Sequence, residues 1–355
     1  MILQSLRLTD YRSYEEADLR FSEGLNVIEG PNGEGKTNLA EAIYYLSLAR
    51  SWRTSDQRAL IHYGSDSASI RAVVKEGGLT REIEAVISKD GRRVFLNGKL
   101  VRRLSELSKL VNVVLFCPED VMVFKGAPSE RRRFLNVSLS KHSPEYFNAL
   151  SRFGKVLEER NAALKAENVD MAYLGIVTDE LIAAEKPLLK ARRDYVRKLS
   201  EAIGPLATRL YGEDAGLSIV YEPFLDPEEG YAEKAKALYE KALEGDLYRK
   251  TTSVGAHRED FKALLRGRDI GLYGSQGENR LAAIALKLSP YFLIEEEAKK
   301  PIAVLDDVYS ELDGEHASRL TGILKELGQT FVTATKFETG GASYIEVSDH
   351  KAMRR

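Results

Sequence analysis

The stretch Gly30-Pro31-Asn32-Gly33-Glu34-Gly35-Lys36-Thr37 constrains this chain more than any other. It satisfies the phosphate-loop pattern G-x-x-x-x-G-K-[ST], and each residue type has a mechanical reason to stand there. Glycines let successive backbone N–H groups curl around a phosphate, Lys36 reaches the β- and γ-phosphates, and the Thr37 hydroxyl can ligand Mg²⁺. Leu25-Asn26-Val27-Ile28-Glu29 reads as a short buried strand entering the loop. Asn38 to Leu46 reads as the helix leaving it, so that the helix N-terminus faces the phosphates. This strand, loop and helix together predict a nucleoside-triphosphate site, with Asn38 at its edge, in an α/β fold.

Composition narrows the partners. The 355 residues have room for two or three domains, or for one large domain with an insertion. Hydrophobic residues make up 43% and charged residues 30%, a soluble globular profile. No apolar run approaches the ~18 residues needed to span a bilayer. The N-terminal Met1-Ile2-Leu3-Gln4-Ser5-Leu6-Arg7 lacks the charged-then-apolar order of a signal peptide, so no membrane partner and a cytoplasmic location are expected. The single cysteine, Cys117, leaves no internal disulfide and reads as a small buried apolar residue. Five scattered histidines offer no zinc site. With 52 basic and 54 acidic residues the net charge is −2, so any nucleic-acid binding must come from local basic patches or an ATP-assembled surface.

Residues 2–8 and 16–28 alternate apolar and polar, predicting short strands ahead of the loop. Arg12, between them, is either a cation that reaches the nucleotide or part of a surface turn. Residues 68–75, 80–88 and 92–96 alternate again, with Gly77-Gly78 and Lys89-Asp90-Gly91 as turns, which predicts an antiparallel β meander. Val111 to Phe116 is a continuous apolar run, as in a strand buried on both faces. Arg131, Arg132 and Arg133 form either a phosphate-binding patch or a solvated helix start. From about 145 to 210 apolar residues recur at spacings of three and four, predicting two antiparallel helices that turn at Ala166–Asp170 and extend ~30–50 Å. Arg192, Arg193, Arg197 and Lys198 read as a charged face of that pair. Three parts follow: 1–140 with the phosphate loop and meander, a helical insertion at 141–210, and 211–355.

A phosphate loop needs a carboxylate to hold Mg²⁺, usually at the end of a buried strand. Ile302-Ala303-Val304-Leu305-Asp306-Asp307 supplies one: Asp306 for the metal, Asp307 to polarise the attacking water. Upstream, Ser275-Gln276-Gly277-Glu278 leads into a helix, where Ser275 is a cap and the exposed N–H groups can make a second anion site. Ser310-Glu311-Leu312-Asp313 follows the acidic strand. An Asn-Lys-x-Asp element, which a GTPase would need, is absent.

This order of motifs resembles the head of ABC-type ATPases and, within them, the SMC/Rad50 branch. The blocks Pro118-Glu119-Asp120, Lys125-Gly126-Ala127-Pro128, Arg131 to Leu135, Gly255 to Asp260, Ser275 to Arg280 and Leu305 to Asp313 extend the resemblance to the RecF family of bacterial recombinational-repair proteins. The resemblance implies a mixed sheet around the phosphate-loop helix, an antiparallel β meander and a helical insertion. It also implies that ATP, with Mg²⁺ on Thr37 and Asp306, is bound between two copies. Ser275 and Gly277 of one copy would then contact the γ-phosphate held by Lys36 of the other, with Gln276 and Glu278 in the same trans signature and Asp313 in the trans D-loop. Such a homodimer would clamp DNA, double-stranded or at gapped junctions, with Arg131, Arg132 and Arg133 as candidate contacts, until slow and DNA-stimulated hydrolysis releases it. Family partners are RecR, then RecO, and RecA at single-strand gaps in repair and at replication forks. An SMC-like chromosome-organising head would need longer arms, and a transporter's ATPase subunit is disfavoured by the 118–134 block. Two departures from the wider pattern stand out. Asp307 occupies the place of a glutamate, and its shorter reach predicts slow turnover, below the ~10 s⁻¹ of a typical enzyme. Thr335 stands near the place of a switch histidine, and no lid glutamine is evident around Phe116-Cys117-Pro118.

Overall fold

The chain opens with β1 (Ile2–Tyr11) and β2 (Tyr14–Arg20), antiparallel partners joined by a tight turn where Arg12 takes a left-handed φ of 55°. The computed structural model describes residues 1–103 and 107–355. Strand β3 (Leu25–Glu29) is buried at all five positions, as its unbroken run requires, and feeds helix α1 (Lys36–Leu48). Strands β4 (Ser67–Glu76), β5 (Leu79–Ser88), β6 (Gly91–Leu96) and the short β7 (Lys99–Leu100) form the expected meander. With β1 and β2 they make a six-stranded antiparallel sheet of order β2-β1-β4-β5-β6-β7. Period-two alternation puts Ile70, Ala72, Val74, Ile83, Ala85 and Ile87 on its buried face. Helix α2 (Leu107–Leu110) precedes β8 (Val113–Phe116).

The chain divides into two compact units. The first holds Met1–Val121, Leu206–Asp214 and Arg280–Arg355; the second holds Met122–Pro205 and Ala215–Asn279. The second therefore exceeds the helical insertion expected at 141–210. Arg131 pairs with Asp260 and Arg192 with Glu259, so the loop before β10 joins the helices instead of the phosphate-loop part. This unit contains α3 (Pro128–His142), α4 (Pro144–Lys165) and most of α5 (Met171–Tyr211). Pro128 starts α3 at a position where its missing N–H costs nothing, and Ser143 caps α4 by accepting the Tyr146 N–H at 3.1 Å. Asp170 accepts the N–H groups of Ala172 and Tyr173 at the start of α5, beside the predicted turn. At 41 residues α5 is about 60 Å long, beyond the expected reach, because neither Pro187 nor Pro205 terminates it. The unit is completed by β9 (Ser218–Glu222), α6 (Tyr231–Arg249), β10 (Asp260–Leu265), β11 (Arg268–Asp269), α7 (Ile270–Tyr273) and the first turn of α8 (Gln276–Phe292). Its small antiparallel sheet has the order β11-β10-β9.

From Arg280 the chain belongs to the first unit again. Strand β12 (Ile302–Leu305), helix α9 (Gly314–Glu326), β13 (Thr330–Ala334), β14 (Ser343–Ser348) and β15 (Lys351–Arg354) follow. The second sheet of this unit has the order β15-β14-β3-β13-β12-β8, parallel throughout except for β15. One core joins the two sheets around α1, with Leu39, Ile43 and Leu46 packed among Leu6, Ile70, Val304 and Phe331. Gln329, fully buried, ties the sheets by their backbones: its amide nitrogen donates to Leu3 O and Ser22 O, each at 2.9 Å, and its oxygen accepts the Leu3 N–H at 2.7 Å. Among the described residues no helix is long and apolar enough to cross a membrane.

Candidate nucleotide site

Parallel strands deliver their carboxyl ends to one edge of a sheet, and ligand sites of open α/β folds form there. In this sheet β3 ends in the phosphate loop, β12 ends in Asp306, and β13 runs between them. The loop needs its glycines. Gly30 has φ 155° and a Cβ there would lie 2.0 Å from Val347 O; Gly35 has φ 112° and a Cβ would meet Ser13 Oγ at 2.7 Å. Pro31, Asn32 and Gly33 are exposed at the crest. Lys36 is only 9% exposed, and its ammonium donates to Gly30 O and Pro31 O, each at 2.7 Å. Burial holds its pKa below the usual lysine value, against the charges of Asp307, Asp306 and Glu34.

Thr37 Oγ1 donates to both oxygens of Asp306, at 3.0 and 3.1 Å. Thr333 Oγ1 donates to Asp306 Oδ1 at 2.7 Å and accepts the Asp307 N–H at 2.8 Å, so one hydroxyl of β13 aligns both acids. The Asp306 N–H in turn donates to Phe116 O of β8 at 2.8 Å. Burial raises the Asp306 carboxyl above its ordinary range, with the Thr333 and Thr37 hydrogen bonds pulling it down. A desolvated carboxylate beside a hydroxyl is a set of hard oxygen donors, and it fits a hard divalent cation such as Mg²⁺. Asp307 is exposed and takes a left-handed φ of 48°, which turns it out of the strand line.

Around the loop the structure adds residues that no motif marked. Glu41 of α1 is fully buried, and the Arg12 guanidinium grips it with Nε and Nη2 at 2.8 and 2.7 Å. Ser51 Oγ also donates to Glu41, and Arg53 donates to Asn38 Oδ1 at 2.8 Å. Asn38 Nδ2 donates to Ser13 Oγ at 2.9 Å. Arg12 is thus not a bland surface turn; it is pinned to the phosphate-loop helix. The signal was a buried acid at a helix position that periodicity assigns to the core. Cys117 is buried, and that burial pushes its thiol well above the usual range. The Cys117 N–H donates to Asp120 Oδ2 at 3.0 Å, and Asp120 pairs with Lys287 at 2.8 Å, just after β8. Thr335, exposed, follows β13.

In the second unit Ser275 and Glu278 form a reciprocal capping box. Ser275 Oγ accepts the Glu278 N–H at 3.2 Å, and Glu278 accepts the Ser275 N–H at 2.9 Å. Asn279, buried behind them, donates to the carbonyls of Ile270, Gly274 and Ser275. Ser275, Gln276 and Gly277 are left exposed on a rigid helix start. In the first unit Arg280 donates to Glu311 at 2.9 Å, to Ser310 Oγ at 3.0 Å and to the Asp307 carbonyl at 3.2 Å, fixing the segment after β12. Asp313 caps α9 by accepting the N–H groups of Glu315 and His316 at 3.0 and 2.9 Å.

The arginine triplet separates into three situations. Arg131 is spent within the fold: Nε and Nη2 donate to Asp260 at 2.7 and 2.8 Å, and Nη1 donates to Val123 O and Gly126 O. It cannot serve as a DNA contact without breaking that pair, which corrects the reading of the triplet as one patch. Arg132 is partly buried and Arg133 is exposed on α3.

A phosphate loop, an acid at the end of a parallel strand one strand away, a meander sheet over the loop helix and a capped Ser-x-Gly helix start define an ABC-type ATPase head. The chain belongs to the RecF family: residues 2–347 match the RecF/RecN/SMC N-terminal domain model. It is 38% identical to the DNA replication and repair protein RecF of Geobacillus kaustophilus (strain HTA426), over 95% of this chain and 94% of that one. The RecF of Bacillus cereus (strain AH820) is 36% identical over 95% and 93%. The structure matches that of the recombination mediator protein RecF-ATP in the RecFOR pathway with TM-score 0.90, 32% identity and coverage of 99% and 97%. The Smc head of Pyrococcus furiosus matches with TM-score 0.58 at 18% identity, a likeness of fold alone.

Proposed function

We propose that this chain is an ATP-binding protein of DNA replication and repair, of the RecFOR pathway, in which ATP assembles a DNA-holding homodimer. The observation that carries the ATP reading is the Thr37–Asp306–Thr333 cluster beside the phosphate loop. Lys36 would leave its two loop carbonyls to hold the β- and γ-phosphates. Thr37 and Asp306 would hold Mg²⁺, which when bound neutralises charge on the phosphate oxygens. Asp307 would orient the attacking water and take its proton. Ser275 and Gly277, on an exposed helix start that favours anions, would meet the γ-phosphate of a second copy. Hydrolysis is slow in this reading, because Asp307 is one methylene shorter than a glutamate, and DNA accelerates it. RecR, and through it RecO and RecA, are the proposed protein partners, in the cytoplasm.

Sedimentation tests this reading. With Mg²⁺ and ATP the wild type should form a dimer that binds short duplex DNA more tightly than the monomer does. Lys36→Ala should lose both the dimer and ATP binding. Ser275→Arg should lose the dimer yet keep its ATP affinity within about threefold, because its defect lies across the interface. A wild type that stays monomeric with ATP and ignores DNA would overturn the reading.

A further inference from the structure

Three arginines of the second unit each have their own carboxylate: Arg131 pairs with Asp260, Arg160 with Asp246 and Arg192 with Glu259. Two more are left over at the same loop. Arg132 donates Nη1 to the backbone carbonyl of Glu259 at 2.9 Å, and Arg258 donates Nη2 to that of Thr252 at 3.3 Å. Neither is ion-paired with a carboxylate among the described residues. Their acceptors are neutral, so the guanidinium groups are positioned without being neutralised. His257, the residue before Arg258, has Nε2 2.9 Å from the same Thr252 carbonyl. The loop beneath is rigid: the Ala256 N–H donates to Glu185 at 3.1 Å, and a Cβ at Gly255 would strike the Tyr239 hydroxyl. Burial lowers the pKa of Arg132, and Arg192, Arg258 and Arg131 lower it further against the pull of Asp260. Like charges fixed together are unfavourable until an anion sits on them.

We propose that Arg132 and Arg258 form a phosphate-binding pair that holds the sugar–phosphate backbone of DNA. Backbone contacts of this kind position a protein on a duplex without reading sequence. An acidic protein segment is the less favoured occupant. Protein interfaces use apolar anchors, and no residue of 128–135 or 252–260 is an exposed large hydrophobic. The proposal rests on the DNA reading above and keeps only Arg132 of the arginine triplet, joined by Arg258, as its contact site.

The experiment is fluorescence anisotropy of labelled duplex with the full chain, Mg²⁺ and ATP, across a salt series. The proteins are the wild type, Arg258→Gln, Arg132→Gln, the double variant and Arg258→Lys. Each loss should weaken DNA binding about three- to tenfold at moderate salt, and the double variant should flatten the slope of log K against log salt by about 1.8. Arg258→Lys should keep most of that slope. ATP affinity and melting temperature of Arg258→Gln, an exposed site, should match the wild type. A folded double variant that keeps the wild-type affinity and slope overturns the pair while leaving the DNA reading intact. A wild type that does not bind DNA overturns that reading and the pair with it. Loss of polyglutamate binding with DNA binding unchanged would assign the pair to an acidic partner and overturn the proposal.

Discussion

Thr333 stands on β13, outside the phosphate loop, yet it holds both acids of the site at once. Removing its hydroxyl while keeping its shape, as in Thr333→Val, strips one hydrogen bond from Asp306 and leaves the Asp307 N–H without its acceptor. The expected result is an ATP hydrolysis rate reduced about tenfold with nucleotide affinity little changed, and a stability loss of about 1–3 kcal/mol for the orphaned groups. Steady-state kinetics beside a melting curve checks it; an unchanged rate would show that the acids align without Thr333. Nothing in the sequence marked this residue. The phosphate loop is legible because its eight residues act together while adjacent in sequence. Thr333 acts through Asp306 and Asp307, 27 and 26 residues away, and Glu41 is held by Arg12, 29 residues away, which only the packing reveals. Asp306 was legible for a different reason: an apolar run ending in acids is itself the pattern of a buried strand opening into a polar site.

At the scale of elements, alternation made the meander readable, and the long-period helices were readable too, although α5 runs through two prolines that a sequence rule would use to end it. The strands β14 and β15 were not foreseen, because only Ile345 and Val347 alternate in so short a segment. The block Gly255–Asp260, a family marker in the sequence, turns out to be the point where α4, α5 and α6 are fastened by buried acids. One of these acids has no cation partner among the described residues. Glu185 of α5 accepts from the Tyr231 and Tyr239 hydroxyls and the Ala256 N–H, and burial pushes its pKa up to about 7 despite them. Between pH 4.5 and about 7 the folded protein keeps a proton that the unfolded chain releases, so stability falls as pH rises through that window. Glu185→Gln should flatten this fall by on the order of 2–3 kcal/mol. Chemical denaturation at a series of pH values reads the difference. Parallel curves for the two proteins would mean that Glu185 titrates in the folded protein as it does in the unfolded chain.

For the whole molecule, ligand and fold are linked through the first unit. ATP with Mg²⁺ at about a hundred times its dissociation constant should stabilise that unit by about 2.7 kcal/mol, raising its melting temperature by a few degrees, and Lys36→Ala should abolish the shift. Calorimetry with and without nucleotide checks this, and an equal shift in the variant would place the nucleotide elsewhere. The order of strands has another consequence, in the time domain of synthesis. Strand β3 is finished by residue 29, but both of its neighbours, β13 and β14, come from residues 330–348. At roughly 5–20 residues per second, ribosomes need about 15–60 s to make the intervening 300 or so residues. During that interval the phosphate loop is complete in its covalent structure and has no sheet to hold its shape. A chain that stops short of β13 carries every residue of Gly30–Thr37 and still lacks both Asp306's alignment and the strands flanking the loop. The loop of a nascent chain therefore gains both of its flanking strands only once residues 330–348 have been made, so its shape depends on sequence synthesised some 300 residues after it.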